Sequence, residues 1–337
     1  MIRGARAEAI LEAAQGKRVL VVGDLMLDRY ILGSVSRISP EAPVPVVHVM
    51  REEAVPGGAA NVALNIQALG GGAVIAGLVG QDAAALELNA ILNGRGIQTD
   101  GIVTCESLCT TVKTRVIAER QQVVRFDRED RVEHAADYSA QLCERLVALI
   151  ATVDGVVIED YGKGVLHPDV VACVMEQAGR HGVCVGYDPK DDHPIAVSNL
   201  TIATPNFKEA CVASGESSYE PLLDPASDLR LKRAAAVLLE KWTPALLCIT
   251  LGPHGMYLCS PTAAPILLPT RAREVFDVSG AGDTVIAASL LGLLAGASHI
   301  EAASLANYAA GIVCAKVGTA PCTRQDVITA LGRAPDA

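Results

Sequence analysis

The segment 277–284 reads Asp-Val-Ser-Gly-Ala-Gly-Asp-Thr and combines groups that bind an anion with a group that takes a proton. It follows a short extended run, Arg273 to Phe276, and precedes an apolar run, Val285 to Ala295, that predicts a helix. The turn Gly280-Ala281-Gly282 allows the backbone to approach a ligand, and free N–H groups at a helix start favour an anion. We therefore expect the amides to hold developing negative charge while Asp283 accepts a proton. Asp is also a favoured helix cap, so the segment alone leaves both interpretations of Asp283 open.

Polar side chains also follow five other apolar runs that predict strands. Because ligands of open α/β sheets bind at the carboxyl ends of the strands, several polar strand ends predict a cleft along that edge. The ends are Asp24, Glu159-Asp160, Asp188-Pro189-Lys190, Thr204-Pro205-Asn206 and Thr250-Leu251-Gly252.

The elements that must position these residues form an α/β pattern. Continuous apolar runs such as 18–24 and 155–159 are typical of parallel strands covered on both faces, and they alternate with helical patterns such as 168–181. Two β-rich segments, about 29–55 and 108–128, interrupt this alternation of strands and helices and predict a small additional sheet. We expect one domain over 1–337, with a central, mostly parallel sheet flanked by helices and a small β-sheet lid.

Three further motifs could contact ligands, and each has a structural alternative. Gly57-Gly58 with Asn61 opens a predicted helix, where glycine allows close approach and Asn61 offers a donor and an acceptor. The run Asn206-Phe207-Lys208-Glu209 could contact phosphate and order Mg²⁺ through water, or simply form a capping box. The run from Thr250 to Gly255 could meet a nucleotide, or simply be a hairpin turn.

Composition and missing motifs exclude several classes of protein. The net charge of -10 argues against nucleic acid or an acidic membrane as partner, and 3% aromatic residues argue against base-stacking surfaces. The ten cysteines form no zinc pattern and are expected to be reduced thiols. The chain begins without a basic, apolar leader, and its longest apolar helical pattern, 285–297, is too short to span a bilayer, so we expect a cytoplasmic protein. The sequence contains no P-loop, dinucleotide-binding or nucleophile-elbow motif, which argues against a nicotinamide dehydrogenase.

The order of the motifs is more specific than any one of them. Gly-Gly-Ala-Ala-Asn near the N-terminus, Asn-x-x-Glu, Thr-x-Gly-x-x-Gly and Asp-x-x-Gly-Ala-Gly-Asp resemble the ribokinase-like (PfkB) carbohydrate kinases over about 18–331. The segments 23–30, 35–46, 160–164 and 188–190 are similar to the family's kinases of D-glycero-β-D-manno-heptose 7-phosphate, which serve lipopolysaccharide-core precursor synthesis. In some bacteria that kinase is fused to a C-terminal nucleotidyltransferase, and since this sequence ends at Ala337 the resemblance implies a stand-alone kinase.

The resemblance implies roles for the residues of the nucleotide side. Asp283 would be the base, and the amides of Gly280, Ala281 and Gly282 would form the anion hole. ATP and Mg²⁺ would be bound by Asn206 to Glu209, with Lys190 neutralising charge and Glu209 acting on Mg²⁺ through water. Thr250, Gly252 and Gly255 would lie along the phosphates and ribose. Asn307 would lie near the adenine, or else be a solvated helix residue.

On the sugar side the resemblance assigns hydroxyl binding to Asp24, Gly57, Gly58 and Asn61. A phosphate on the sugar needs local cations in an acidic protein. The candidates are Arg37, Arg115, Arg125 and Lys163, of which Lys163 is favoured because two glycines flank it at a strand end. Any one arginine could instead lie on a solvated strand face.

The resemblance implies a potassium ion as well, held by backbone carbonyls of Asp277 and Ser279 together with the loop 316–322. The small sheet would exclude water as a lid and pack against a second copy in a homodimer. The function that follows is ATP-dependent phosphorylation of O1 of the heptose 7-phosphate to the 1β,7-bisphosphate. Two alternatives stay open, a kinase for another sugar phosphate such as fructose 6-phosphate and a non-catalytic sugar-phosphate-binding regulator.

Overall fold

Nine strands form the main sheet in the described part of the chain. The computed structural model describes residues 2–119, 121–130, 132–217, 222–272, 275–316 and 318–332. The order across the sheet is β13-β12-β11-β10-β9-β8-β1-β4-β5, parallel from β11 to β5 and antiparallel at the β11-β12-β13 edge. The strands are β1 Arg18–Gly23, β4 Gly72–Gly80, β5 Gln98–Cys105, β8 Gly155–Glu159, β9 Cys184–Asp188, β10 Ile202–Ala203, β11 Leu246–Thr250, β12 Met256–Ser260 and β13 Ala263–Leu268.

Helices cover both faces of this sheet, which is why its central strands are apolar throughout. Val19 and Val21 of β1 belong to one buried cluster, and Leu20 and Val22 belong to the other. The first cluster includes residues from α1, α2, α3, α8, α9 and α10, and the second includes residues from α4, α5 and α7. The helices are α1 Gly4–Ala13, α2 Ala59–Ala68, α3 Ala83–Gly94, α4 Ser139–Ile150, α5 Pro168–His181, α6 Phe207–Ser214, α7 Leu229–Trp242, α8 Ala281–Leu294, α9 His299–Cys314 and α10 Arg324–Gly332.

The small sheet has the order β3-β2-β6-β7, with β2 and β6 parallel and the other pairs antiparallel. Its strands are β2 Leu25–Ile38, β3 Pro45–Gly58, β6 Thr111–Ala118 and β7 Gln121–Arg128. The second β-rich segment therefore returns to pair with the first, as the alternating sequence predicts. Because β2 begins immediately after Asp24, the small sheet grows directly from the carboxyl edge of the main one.

The structure differs from the sequence prediction at several boundaries. Helix α2 begins at Ala59 rather than Val62, and Gly57 and Gly58 end a strand. Strand β5 and the hairpin of β12 and β13 were not predicted. Of these, β5 and β13 are the edge strands of the main sheet and are partly exposed, whereas β12 is buried apart from its last residue. Of the predicted extended run, Arg273 and Glu274 lie outside the described residues, and 275–276 are not in a strand. No helix within the described ranges is both long and apolar enough to cross a membrane.

Candidate active site

Asp283 lies in the first turn of α8, buried to 4% exposure, and both of its carboxylate oxygens are hydrogen-bonded. Asn61 Nδ2 donates to Oδ2 at 2.6 Å, and the hydroxyl of Tyr161 donates to Oδ1 at 2.7 Å. Burial raises the pKa of Asp283, and these two donors oppose that rise. The helix cap is Gly280, at φ 76°, without a side-chain hydrogen bond, so the interpretation of Asp283 as only a cap is wrong.

Two other carboxylates lie beside Asp283 at the ends of β8 and β9. One oxygen each of Glu159, Asp188 and Asp283 lies within 4.8 Å of the others. Thr204 donates to Asp188 at 2.7 Å, whereas Oε2 of the buried Glu159 has no hydrogen-bond partner among the residues that the structure describes. Burial, followed by the charges of the neighbouring carboxylates, raises the pKa values of Glu159 and Asp188 well above their ordinary values. An orphaned carboxylate oxygen among other carboxylates fits a hard divalent cation.

The loop after β8 is held in place by the carboxylate of Asp24. Its oxygens accept three backbone N–H groups, from Tyr161 at 2.9 Å, Lys163 at 3.0 Å and Val165 at 3.2 Å. Asp24 itself is 2% exposed. These bonds position the Tyr161 side chain over Asp283. Sequence reasoning missed Tyr161 as a candidate, although it lies directly before Gly162 in the segment 160–164 that follows a predicted strand.

One face of the small sheet carries charged side chains toward this loop. Asp28 and Arg115 form a nearly buried ion pair at 2.5 Å. Lys113 lies opposite Asp28 in the register of β2 and β6, and its ammonium lies 5.4 Å from the ring centre of Tyr161. Burial lowers the pKa of Lys113, and no described carboxylate forms an ion pair with it. Lys113 is a second site residue that sequence reasoning missed, because strand alternation alone does not distinguish it from a solvated lysine.

The other predicted sugar-side cations occupy different surroundings. Lys163 pairs with Glu129 at 2.7 Å, and Arg125, opposite Arg115 in β6 and β7, pairs with Asp127 at 3.1 Å. Arg37 is exposed near the far end of β2, nine residues beyond Asp28 and thus about 30 Å along the strand. The structure therefore brings Arg115, Arg125 and Lys163 to the charged face and leaves Arg37 distant from it.

The glycines of the predicted sugar side lie where β3 ends. A Cβ on Gly57 would be 2.5 Å from Oδ2 of Asp28, and one on Gly58 would be 2.6 Å from the backbone oxygen of Asp24. Gly58 also has φ 57°. Both positions require glycine because backbone and carboxylate approach closely there.

The Asn206 to Glu209 run forms a capping box at the start of α6. Asn206 Oδ1 accepts the Glu209 N–H at 3.0 Å, and Glu209 Oε2 accepts the Asn206 N–H at 2.7 Å. The structural interpretation of this motif is therefore confirmed. Burial raises the pKa of Glu209 to about 7. The ammonium groups of Lys190 and Lys208 lie 3.6 Å and 2.5 Å from the carboxylate of Asp191. The guanidinium of Arg230 lies over the ring of Phe207.

A pocket of about 540 Å³ lies between α8, α9 and the turn from β11 to β12. The turn confirms the hairpin interpretation of the 250–255 run, and Thr250, Gly252 and Gly255 line the pocket together with Ala281 and Gly282. Asn307 lines it too, but its amide donates to the Pro269 oxygen at 2.8 Å and its oxygen accepts the Arg271 N–H at 3.2 Å. Because Asn307 is 6% exposed, its interpretation as a solvated residue is wrong.

The segment before α8 is tied to the chain after α9. Asp277 accepts the N–H of Ser279 at 2.9 Å and the N–H of Gly318 at 3.1 Å. The predicted loop 316–322 therefore borders the 277–279 backbone, although residue 317 lies outside the described residues.

Curated relatives match most of this chain. The bifunctional protein HldE of Pelobacter propionicus is 42% identical over 328 residues, which are 97% of this chain and 66% of the relative. HldE of Desulfatibacillum aliphaticivorans is 46% identical over 303 residues, 90% of this chain and 60% of the relative. The chain thus spans less than two thirds of the length of these relatives.

Solved structures match the fold. Ribokinase of Arabidopsis thaliana, complexed with ribose and ATP, matches with a TM-score of 0.72 and 19% identity over 95% of this chain and 100% of its own. Phosphofructokinase-2 of Escherichia coli, in complex with substrates and products, matches with a TM-score of 0.73 and 20% identity over 94% of this chain and 98% of its own. The predicted ribokinase-like fold is thereby confirmed.

The model of the "pfkB family carbohydrate kinase" matches residues 17–326, which include all the elements from β1 to α9. This match agrees with the glycine turn at the start of α8, the buried carboxylate beside it and the pocket that the turn borders. The chain therefore belongs to the pfkB family and is a carbohydrate kinase.

Proposed function

We propose that this kinase transfers the γ-phosphoryl group of ATP to O1 of D-glycero-β-D-manno-heptose 7-phosphate and forms the 1β,7-bisphosphate. The product would enter the ADP-heptose route to the lipopolysaccharide core. The observation that carries the proposal is the buried Asp283, which lies between the 540 Å³ pocket and the charged face of the small sheet. The similarity to HldE proteins supports a heptose as the acceptor.

In this mechanism Asp283 accepts the proton of the O1 hydroxyl as the oxygen attacks the γ-phosphorus. The O1–P bond forms, the bond between the γ-phosphorus and the β–γ bridging oxygen breaks, and ADP leaves with that electron pair. The amides of Gly280, Ala281 and Gly282 stabilise the charge on the transferred group, as a helix start allows. The Ala281 amide donates to the Val278 oxygen at 3.2 Å and has to leave it to do so. The amide of Asn61 donates to Oδ2 of Asp283 and so keeps the base in position.

The pocket between α8 and α9 accommodates the nucleotide. Thr250, Gly252 and Gly255 lie along its phosphates and ribose, and Asn307 supports the adenine end by fixing the backbone at Pro269 and Arg271. The run Asn206, Phe207, Lys208 and Glu209, with Lys190, faces the phosphates. Lys190 adds positive charge there.

Mg²⁺ neutralises the phosphates and orients them for in-line transfer when it is bound. The chain's residues fit it, since Glu159 has an orphaned oxygen and Asp188 lies beside it. Glu209 would act through water. A potassium ion would take the carbonyls of Asp277 and Ser279, and a phosphofructokinase-2 structure with potassium shares this fold.

The sugar occupies the space between Asp283 and the small sheet. Gly57 and Gly58 approach it from the end of β3 and Asn61 approaches it from α2, while Asp24 holds the loop that borders it. The 7-phosphate, a dianion, is bound by cations of the charged face: Lys113, Arg115, Arg125 and Lys163. Arg37 lies too far along β2 to share this phosphate. Lys113 is the strongest of these because it is half-buried and has no carboxylate partner among the described residues.

We also propose that the segments of about 29–55 and 108–128 act as the lid of a single kinase domain. Closing them over the sugar excludes water from the reaction. The small sheet exposes Ile38, Val49, Met50 and Phe126, and this apolar surface suits a homodimer through the lid. Sedimentation of the wild type and of Met50→Lys tests the dimer, because a buried charge should dissociate it.

The deciding experiment is ADP release with a panel of sugar phosphates, followed by NMR of the product. Rapid release with the heptose 7-phosphate and a new phosphate on O1 would support the proposal. Release with fructose 6-phosphate instead would identify another sugar kinase. Sugar binding in calorimetry without ADP release would identify a regulator.

A further inference from the structure

Tyr161 forms a contact to the base that the mechanism above does not use. Its hydroxyl donates to Oδ1 of Asp283 at 2.7 Å, while Asn61 donates to Oδ2 at 2.6 Å. Each oxygen of the carboxylate therefore already has one protein donor. An acceptor hydroxyl that is to give its proton to Asp283 must approach one of these two oxygens in place of, or beside, its donor.

The Oδ2 side is closed by packing. Asn61 is 1% exposed, and its own oxygen accepts a bond from Asn65 at 3.4 Å. A Cβ on Gly280 would lie 2.6 Å from Asn61 Nδ2, so the amide fills the space against the anion-binding turn. Asn61 has no room to move aside.

The Oδ1 side differs because its donor can leave. Tyr161 is half-buried and lies in a loop outside the helices and strands, next to Gly162 at φ 67°. Asp24 fixes the loop backbone through three N–H groups, so the movement available to Tyr161 is rotation of its side chain. Its ring contacts Lys113 of the small sheet at 5.4 Å, which links the position of the ring to that of the sheet.

We propose that Tyr161 guards the base: its hydroxyl occupies Oδ1 of Asp283 until the sugar hydroxyl displaces it. This inference rests on the proposed function. Without the guard, water can give a proton to Asp283 while its oxygen bonds to the γ-phosphorus and ADP leaves, which yields inorganic phosphate. While the Tyr161 hydroxyl bonds to Oδ1, only an acceptor that binds tightly enough to displace the phenol can give its proton to Asp283. Tyr161 is thus a positioning residue that restrains ATP hydrolysis.

The test compares Tyr161→Phe with the wild type in two reactions. Phenylalanine keeps the ring beside Lys113 and removes only the hydroxyl. The matched control is Tyr138→Phe, which removes a phenol that hydrogen-bonds to Ser107 at 3.0 Å and is not a partner of Asp283 among the described residues. ADP release is measured with ATP alone and with saturating heptose 7-phosphate, and thermal unfolding and ATP binding are measured for all three proteins.

We expect Tyr161→Phe to release ADP from ATP alone about tenfold faster than the wild type, as the loss of one hydrogen bond to a charged group implies. KM for the sugar phosphate should stay equal or fall, since no phenol must be displaced. A defect of folding would instead lower both reactions, which unfolding and ATP binding would reveal, and Tyr161→Ala then repeats the comparison.

Hydrolysis at the wild-type rate in Tyr161→Phe would overturn the proposal. So would a higher KM for the sugar phosphate, because it would assign the phenol to the bound sugar. A wild type that releases no extra ADP with any sugar phosphate would contradict the proposed function instead. The comparison in ATP alone needs no sugar and still decides the role of Tyr161.

Discussion

The side-chain amide of Asn61 donates a hydrogen bond of 2.6 Å to Oδ2 of Asp283, although 222 residues separate them in the chain. Asn61 lies in the first turn of α2 and Asp283 in the first turn of α8, and these helices pack together on one face of the main sheet. Two helix starts thus meet at the carboxyl edge of the sheet. The carboxylate of Asp283 is held by a donor from a different part of the sequence.

Asp283→Asn should fold normally and lose turnover by about a hundredfold to ten-thousandfold, the range that a general base contributes. Asparagine keeps the shape and cannot accept the proton. Steady-state ADP release with the sugar phosphate measures the loss, and Asp100→Asn, an exposed position on β5, is the control. Near-normal turnover in Asp283→Asn would rule out its role as the base.

Asn61→Ala should shift the acidic limb of the kcat/KM profile to higher pH. Burial raises the pKa of Asp283 and the Asn61 donor opposes that rise, so its removal raises the pKa further. The base is active only when ionised, and activity should therefore be lost at a higher pH as the solution is acidified. Asn93→Ala on the exposed surface of α3 is the control. An unshifted limb would mean that Asp283 does not set it.

Glu159→Gln should stabilise the protein at mildly alkaline pH and have little effect at acidic pH. The pKa of Glu159 is raised in the folded chain, so its stabilising contribution is present below its ordinary pKa and is lost as the pH rises through the raised value. One pKa unit corresponds to about 1.4 kcal/mol of unfolding free energy. Thermal unfolding in the presence of a metal chelator measures the change in stability at each pH. Glu144→Gln on the surface of α4 is the control. Equal stability of Glu159→Gln and wild type at both pH values would contradict a raised pKa of the buried Glu159.

Gly280→Ala should destabilise the protein by about 1–2 kcal/mol for the left-handed backbone alone, and by more because its Cβ would lie 2.6 Å from Asn61 Nδ2. Gly282→Ala is the matched control, since its Cβ would meet only Asp188 Oδ2 at 3.6 Å, an ordinary contact. Chemical denaturation compares the two variants. If both were equally stable, the turn would not require glycine at 280.

Ala310→Phe should raise KM for ATP by about tenfold or more while leaving KM for the sugar phosphate unchanged. Ala310 lines the pocket between α8 and α9, and a larger side chain there overlaps the space of a ligand. Ala90→Phe on the exposed face of α3 is the control. An unchanged KM for ATP would show that the nucleotide binds elsewhere.

Much of the site was predictable from short segments. The turn at 280–282, the acid at 283 and the polar ends of strands such as β1 and β8 are local patterns, because turn glycines and apolar runs act over a few residues. The same locality explains the errors. The polar groups of the Asn206 to Glu209 run hydrogen-bond to each other in a capping box, and strand β5 begins with polar residues that interrupt its apolar pattern.

The sequence by itself determined the alternation of strands and helices, the glycine turn at 280–282, the family resemblance and the position of the acid beside that turn. The tertiary structure alone decided what surrounds the acid. Asn61, Tyr161, Glu159 and Asp188 reach Asp283 from separate elements, and Lys113 reaches Tyr161 from the small sheet. The physical reason is that hydrogen bonding and burial at Asp283 depend on how the carboxyl ends of distant strands and the starts of two helices converge, which no local pattern specifies.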